Sequence, residues 1–454
     1  TEKETMINFT TRPEITGNFG VVTTTHWIAS AIGMSILEKE GNAFDAAVAT
    51  GFTLQVVEPH LNGPGGEVPL ILSPINQDPI VICGQGVAPS LANIEAFHDM
   101  NLNIVPGSGL LPAVVPGAFD AWMLLLLKFG TKSLREVLEP AITIAKNGYP
   151  LVPNIVNTIK AVEDLFKEEW KTSANIYLPG GNVPKIGSFF TNNSMAEMYT
   201  RILVEVESKS KDRDEQISYA RKVWKEGFIA EAIDLFSRNT EVMDTTGDRH
   251  KGLLRGDDIA DWSATIEKPS TYDYKNYTVC KTGPWGQGPT FLQQLALLKG
   301  FNLDALDENS PEFVHLVVEA TKLAFADREA FYGDPDFNKI PLDILLSDKY
   351  NNERRKLIGK NASMEVRPGI IPGFGGPVVV RPKGTTPESF SKFDIGEPTV
   401  ARFDEPTPDE LGGTKGDTTH FDIIDKWGNM IAGTPSGGWL QSSPIIPSLG
   451  FCLS

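Results

Sequence analysis

What the sequence has little of narrows the field first. Only three cysteines, Cys83, Cys280 and Cys452, occur in 454 residues. That is too few for a disulfide framework, and an odd count leaves at least one thiol outside any intramolecular bridge; a free, buried role is expected for all three. The six histidines are scattered, and the acidic group Asp327, Glu329, Asp334 and Asp336 lacks a calcium-loop pattern, so neither a catalytic metal nor a cofactor is expected. Basic residues are in deficit, 41 Lys and Arg against 58 Asp and Glu, for a net charge of -17. So acidic a chain binds phosphate backbones poorly, which argues against a nucleic-acid partner. Long apolar runs are missing too. The longest, Ala121–Leu127, falls far short of a bilayer and reads as a buried helix, so no membrane span is expected. Thr1–Asn18 has neither a basic start nor an apolar core of signal-peptide length; a cytoplasmic location is expected, with export the alternative if a signal has been removed. No internal repeat is visible.

What is present concentrates near the C-terminus. Thr418 and Thr419 enter a short apolar strand after a Pro/Gly-broken stretch that runs from Pro368 to Gly416. A threonine hydroxyl needs a base beside it to act as a nucleophile, and its own α-amino group serves once the preceding peptide bond is cut. Such an amine titrates near ~7.7 to 8.0, so a useful fraction is neutral at working pH. Alternation places Thr419, Phe421 and Ile423 on one strand face and Thr418, His420, Asp422 and Ile424 on the other. A turn around Lys426 and Trp427 then returns the chain as a hairpin that sets Thr418 and Thr419 opposite Thr434 to Ser436. A plain hairpin, with threonines present for strand propensity, satisfies the same residues. Two other motifs are read structurally. Thr23-Thr24-Thr25-His26 fits a strand leading into a helix, and Gly63-Pro64-Gly65-Gly66 lacks the Gly-Lys-Ser/Thr ending of a phosphate loop and reads as a tight turn.

The run from Thr418 to Asn429 resembles the T-T-H-x-x-V-x-D-x-x-G-N signature of the γ-glutamyltransferase (γ-glutamyltranspeptidase) family. Upstream, Gly41 to Ala49, Val57-Glu58-Pro59 with Gly63 to Gly66, Val115-Pro116-Gly117, Glu139-Pro140-Ala141-Ile142, Glu319-Ala320 and Gly333-Asp334-Pro335 follow in the family's order, so the match covers nearly the whole chain. The resemblance implies an α/β (α+β) N-terminal-nucleophile hydrolase, an αββα sandwich of two stacked antiparallel sheets between helical layers. It also implies a precursor that cleaves itself between Asp417 and Thr418 and then carries an acyl group on Thr418. Thr434 and Ser436 match hydroxyl residues placed near the nucleophile, and His420 is expected to be packed or hydrogen-bonded rather than a base. Residues 1–417 correspond to a large subunit and 418–454 to the start of a small one. The family's paired-glycine oxyanion turn and paired-serine segment have no counterpart here, so part of the protein is expected to be missing from the chain.

Departures from the pattern bear on substrate. The family's glutamyl-binding arginine lies in a segment that here reads Gln85-Gly86-Val87-Ala88-Pro89, with Gln85 as the substrate-binding candidate, and Gly438 stands where the family has an asparagine. Loss of a charge-assisted pair to a carboxylate costs roughly 1.5 to 3 kcal/mol. The favoured partner is therefore a small-molecule amide whose acyl group need not be glutamate, as in cephalosporin-acylase-like relatives. A glutathione-active enzyme using another cation such as Arg12, and an inactive binding or scaffold relative, are the alternatives. Homo-oligomer formation stays open. Helices are expected over Trp27–Glu40, Ala43–Val56, Ser133–Lys146 and Pro311–Tyr332 from apolar spacing and caps.

Overall fold

The computed structural model describes residues 15–103, 105–376 and 418–454. Short aliphatic and β-branched runs build a six-stranded sheet from β1 (Gly20–Thr24), β2 (Val68–Ser73), β3 (Ile80–Gly84), β4 (Thr265–Glu267), β5 (Phe421–Asp425) and β6 (Met430–Gly433). Its order is β1-β5-β6-β2-β3-β4, with every neighbouring pair antiparallel. The hairpin that comes last in sequence thus lies between strands made near the start.

Alternation decides which face is covered. Phe421, Ile423 and Asp425 are buried while Asp422 and Ile424 are exposed, and Val68, Leu70 and Leu72 face inward from β2. Against that inner face pack α1 (Trp27–Glu38), α2 (Ala43–Val57) and α3 (Ala118–Phe129). Helix α2 is buried along its whole length, as a helix between two layers must be. Trp122 of α3 sits 5.9 Å from the Phe421 ring. Gly51 of α2 admits that indole, since a Cβ there would lie 2.3 Å from it. Behind them stand α4 (Leu134–Asn147), α5 (Asn193–Lys209) and α6 (Arg213–Glu226). Ser133 and Glu136 form the capping box expected at the start of α4.

Helices layered on an antiparallel sheet agree with the α/β sandwich; the strands of the described residues form one six-stranded sheet and three two-stranded ribbons. Among the described residues the opposite face, which carries Thr418, His420 and Asp422, is open. Further along the chain lie α7 (Gly288–Leu298), α8 (Pro311–Phe331) and α9 (Asp348–Arg355). The apolar stripe expected for α8 hid two buried carboxylates. Asp327 pairs with Arg354 at 2.9 Å and accepts from the Gly369 N–H at 2.7 Å, while Glu319 binds Lys322 and Arg367. Asp327 therefore leaves the acidic group in which its sequence position placed it. Gly369 and the buried Ile371 likewise anchor the start of the Pro/Gly-broken stretch. Residues 377–417, Asp417 among them, lie outside the described residues. Only Cys452 is buried; Cys83 and Cys280 are half-buried, because both lie on strands with one uncovered face. No helix among the described residues is long and apolar enough to cross a membrane.

Candidate active site

The site grows out of the β5–β6 turn. Gly428 takes φ +91°, which a side chain would resist, and the Asp425 carboxylate closes the loop by accepting from the N–H groups of Trp427 and Asn429 at 2.9 and 3.0 Å. Its other oxygen accepts from Ala43 N–H at 2.9 Å, at the first turn of α2. Turn and helix are locked together. The register so fixed pairs Phe421 with Gly433 and continues to a bridge between Thr418 and Ser436.

On the open face the Thr418 and Ser436 hydroxyls lie 3.0 Å apart. Thr434 does not reach Thr418; its hydroxyl is 2.9 Å from His420 Nδ1. His420 Nε2 lies 3.1 Å from Asp422, and half of the His420 side chain is exposed. The histidine is hydrogen-bonded but half-exposed, because none of the described residues forms a layer over its strand face.

Behind the strand is a group that the sequence did not announce. Thr419 donates to Glu58 Oε2 at 2.8 Å and Thr25 donates to the same oxygen at 2.5 Å; the two threonine hydroxyls also touch. Burial pushes the Glu58 carboxyl above its ordinary range, and the two hydroxyl donors oppose that rise. His26 and His60 are buried nearby and burial lowers both to about 4. His26 Nδ1 accepts from the Ile28 N–H and so caps α1. The one available signal was Glu58 itself, the first charged residue after Asp45, placed just past the end of a helix with no other charge.

The Gly63–Gly66 turn brings backbone to the same place. Ser436 exchanges backbone hydrogen bonds with Glu67 at 2.9 and 3.1 Å, and a Cβ on Gly66 would meet the Ser436 carbonyl at 2.1 Å. Gly437 and Gly438 follow with φ of +70° and +65°. Bridges join Thr418 to Ser436 and Ser436 to Glu67 in one row across the open face. Strands β2 and β3 pair as far as Val68 and Gly84, and extending that register by one residue brings Gln85 into line with the row. At about 4.8 Å per strand, Gln85 is roughly 14 Å from Thr418. Gln85, the substrate-binding candidate, lies in the wall of a cavity of about 650 Å³. Among the described residues no cluster of metal-ligating side chains occurs.

Comparison with known proteins agrees with this scaffold. The gamma-glutamyltranspeptidase family model matches residues 29–454. A glutathione hydrolase proenzyme of Bacillus subtilis (strain 168) is 30% identical over 96% of this chain and 68% of its own length. The acylase ACY 1 proenzyme of Pseudomonas sp. (strain SE83) is 28% identical over 96% of this chain and 68% of its own. A solved structure described as LmbA2991HD superposes with a TM-score of 0.87 at 50% identity, covering 98% of this chain and 72% of that one. The chain spans 61% to 68% of the lengths of such curated relatives. The family match runs from the helices through the Thr418 hairpin, and the chain belongs to the γ-glutamyltranspeptidase family of hydrolase and transferase enzymes.

Proposed function

We propose that this protein is a self-cleaving N-terminal-threonine amide hydrolase or acyltransferase, with Thr418 as nucleophile. The observation that carries the reading is the Thr418–Ser436 hydroxyl pair, 3.0 Å apart on the open sheet face. After scission at Asp417–Thr418 the new α-amine takes the proton from the Thr418 hydroxyl, the oxygen attacks the substrate carbonyl, and the proton passes to the departing amine as the C–N bond breaks. Water or a second amine then breaks the ester. Ser436 orients the nucleophile by hydrogen bonding, and His420 holds Thr434 in line with it. Large and small subunits would thus derive from one precursor.

The second reading concerns the acyl group. Gln85 offers no charge to a glutamyl α-carboxylate, so a non-glutamyl acylase is favoured over a glutathione-active enzyme. Intact mass spectrometry tests the first step: two polypeptides are expected, the smaller beginning at Thr418, and Thr418→Ala should stay in one piece. Scission of that variant at the same bond rules the mechanism out. Release of p-nitroaniline from γ-glutamyl and from other acyl anilides ranks the acyl groups.

A further inference from the structure

The cavity at the far end of the Thr418 row has a chemistry of its own. Trp262, Trp285 and Tyr332 are among the residues that line it. Four carboxylates, Glu267, Glu329, Asp334 and Asp336, share that wall with a single guanidinium, Arg328. Arg328 is already committed: it pairs with Glu329, bonds to Gln287 and lies 4.6 Å over the Phe325 ring. Glu267 is held in place by Trp285 Nε1 at 2.8 Å and by Thr265 at 2.7 Å. No cation pairs with Glu267, Asp334 or Asp336 among the described residues; Asp334 accepts from the Asp336 N–H instead. Aromatic faces beside uncompensated carboxylates suit an organic cation, which gains from both the ring quadrupole and the charges.

We propose that this cavity is a subsite for the aryl-ammonium end of an extended amide substrate whose carbonyl sits at Thr418. The route between the two is laid out by the sheet. Gln85 and Cys83 border the cavity, and Glu67 and Ser436 occupy the intervening strands. Glu67 adds a carboxylate along the way, close enough that a Cβ on Gly437 would meet its Oε2 at 2.2 Å. The local field agrees with this assignment: burial raises the Cys83 thiol to about 11, and Glu267 and Asp336 push it in the same direction. A substrate reaching from Thr418 to the rings spans about three strand spacings, roughly 14 Å, more than a glutamyl group covers.

The inference rests on the amide-acylase reading only for the direction from which substrate enters. Its test is therefore binding, not turnover. Calorimetric titration of the full, processed protein with phenethylammonium, neutral phenethyl alcohol and anionic phenylpropanoate should rank them in that order, with about tenfold or more between cation and anion. Glu267→Gln or Asp336→Asn should weaken the cation several-fold and leave the alcohol unchanged. Equal or tighter binding of the anion, or a cation affinity indifferent to both substitutions, overturns the proposal. An acylating inhibitor applied separately reads Thr418. Labelling without arylammonium binding removes the subsite alone, whereas binding without labelling removes the reaction alone.

Discussion

The side chains behind Thr418 carry more of the site than those in front of it. Glu58 holds two hydroxyls, and one of them belongs to Thr419, the residue next to Thr418. Thr419→Val removes that donor and leaves a buried carboxyl under-bonded. We expect a loss of about 1 to 3 kcal/mol, seen as a lower urea midpoint, with Thr419→Ser restoring most of it. His60 gives a pH-dependent counterpart. Its folded-state value of about 4 lies below the ordinary imidazole value of 6.5, so the unfolded chain binds the proton first as the medium is acidified. The stability that neutral His60 contributes is complete above about pH 6.5 and falls progressively toward pH 4. Glu58, shifted upward, acts with the opposite sign. His60→Asn should therefore flatten the descent of Tm between those limits, as thermal denaturation at several pH values will show; an unchanged slope argues that the imidazole is solvated.

Among the elements, the β5–β6 hairpin does the most positioning, and a single carboxylate secures it. Asp425 accepts four hydrogen bonds, from Trp427, from Ala43 and from the backbone and side chain of Asn429. Asp425→Ala strands the N–H at the start of α2 and loosens the turn together. A loss of about 2 to 4 kcal/mol is expected from several simultaneous orphaned donors, measurable by chemical denaturation, with slower turnover because the Thr418–Ser436 spacing relaxes. Much of this element was legible beforehand. Alternation gave its faces, and the Asp/Gly/Asn turn gave a register that runs on to Thr418 opposite Ser436. What stayed hidden was long-range: Asn42 and Asp45 cap α2 locally, but nothing in that run says that the Ala43 N–H donates to Asp425. Helix α8 shows the complementary failure. Its extent was readable from Ser310, Pro311 and apolar spacing, but its buried Asp327 is stabilised by Arg354 and Gly369, partners that only tertiary packing selects.

For the molecule as a whole, charge is the property read most directly from composition. A net -17 concentrates cations near the surface and steers them inward. Association of phenethylammonium with the acid-lined cavity should accordingly slow as ionic strength rises toward physiological values, where the Debye length is about 8 Å; stopped-flow fluorescence would follow it through Trp262 and Trp285. A salt-independent rate would show that the field at the cavity mouth is weak. The family was readable from ordered motifs spread along the chain, whereas the cavity was not. Its walls come from β3, β4, the loop before α7 and the segment after α8, and no single stretch of sequence carries the arrangement.

The sheet order also bears on how the chain acquires its shape during synthesis. Strands β1 and β2 emerge early, yet each depends on a neighbour from the hairpin, and Ile75 waits for Asn429, 354 residues further on. Until then both strands have unsatisfied edges, inviting pairing with other chains. Such high contact order slows assembly, so the ribosome-bound intermediate is the stage at which chaperone protection would matter most.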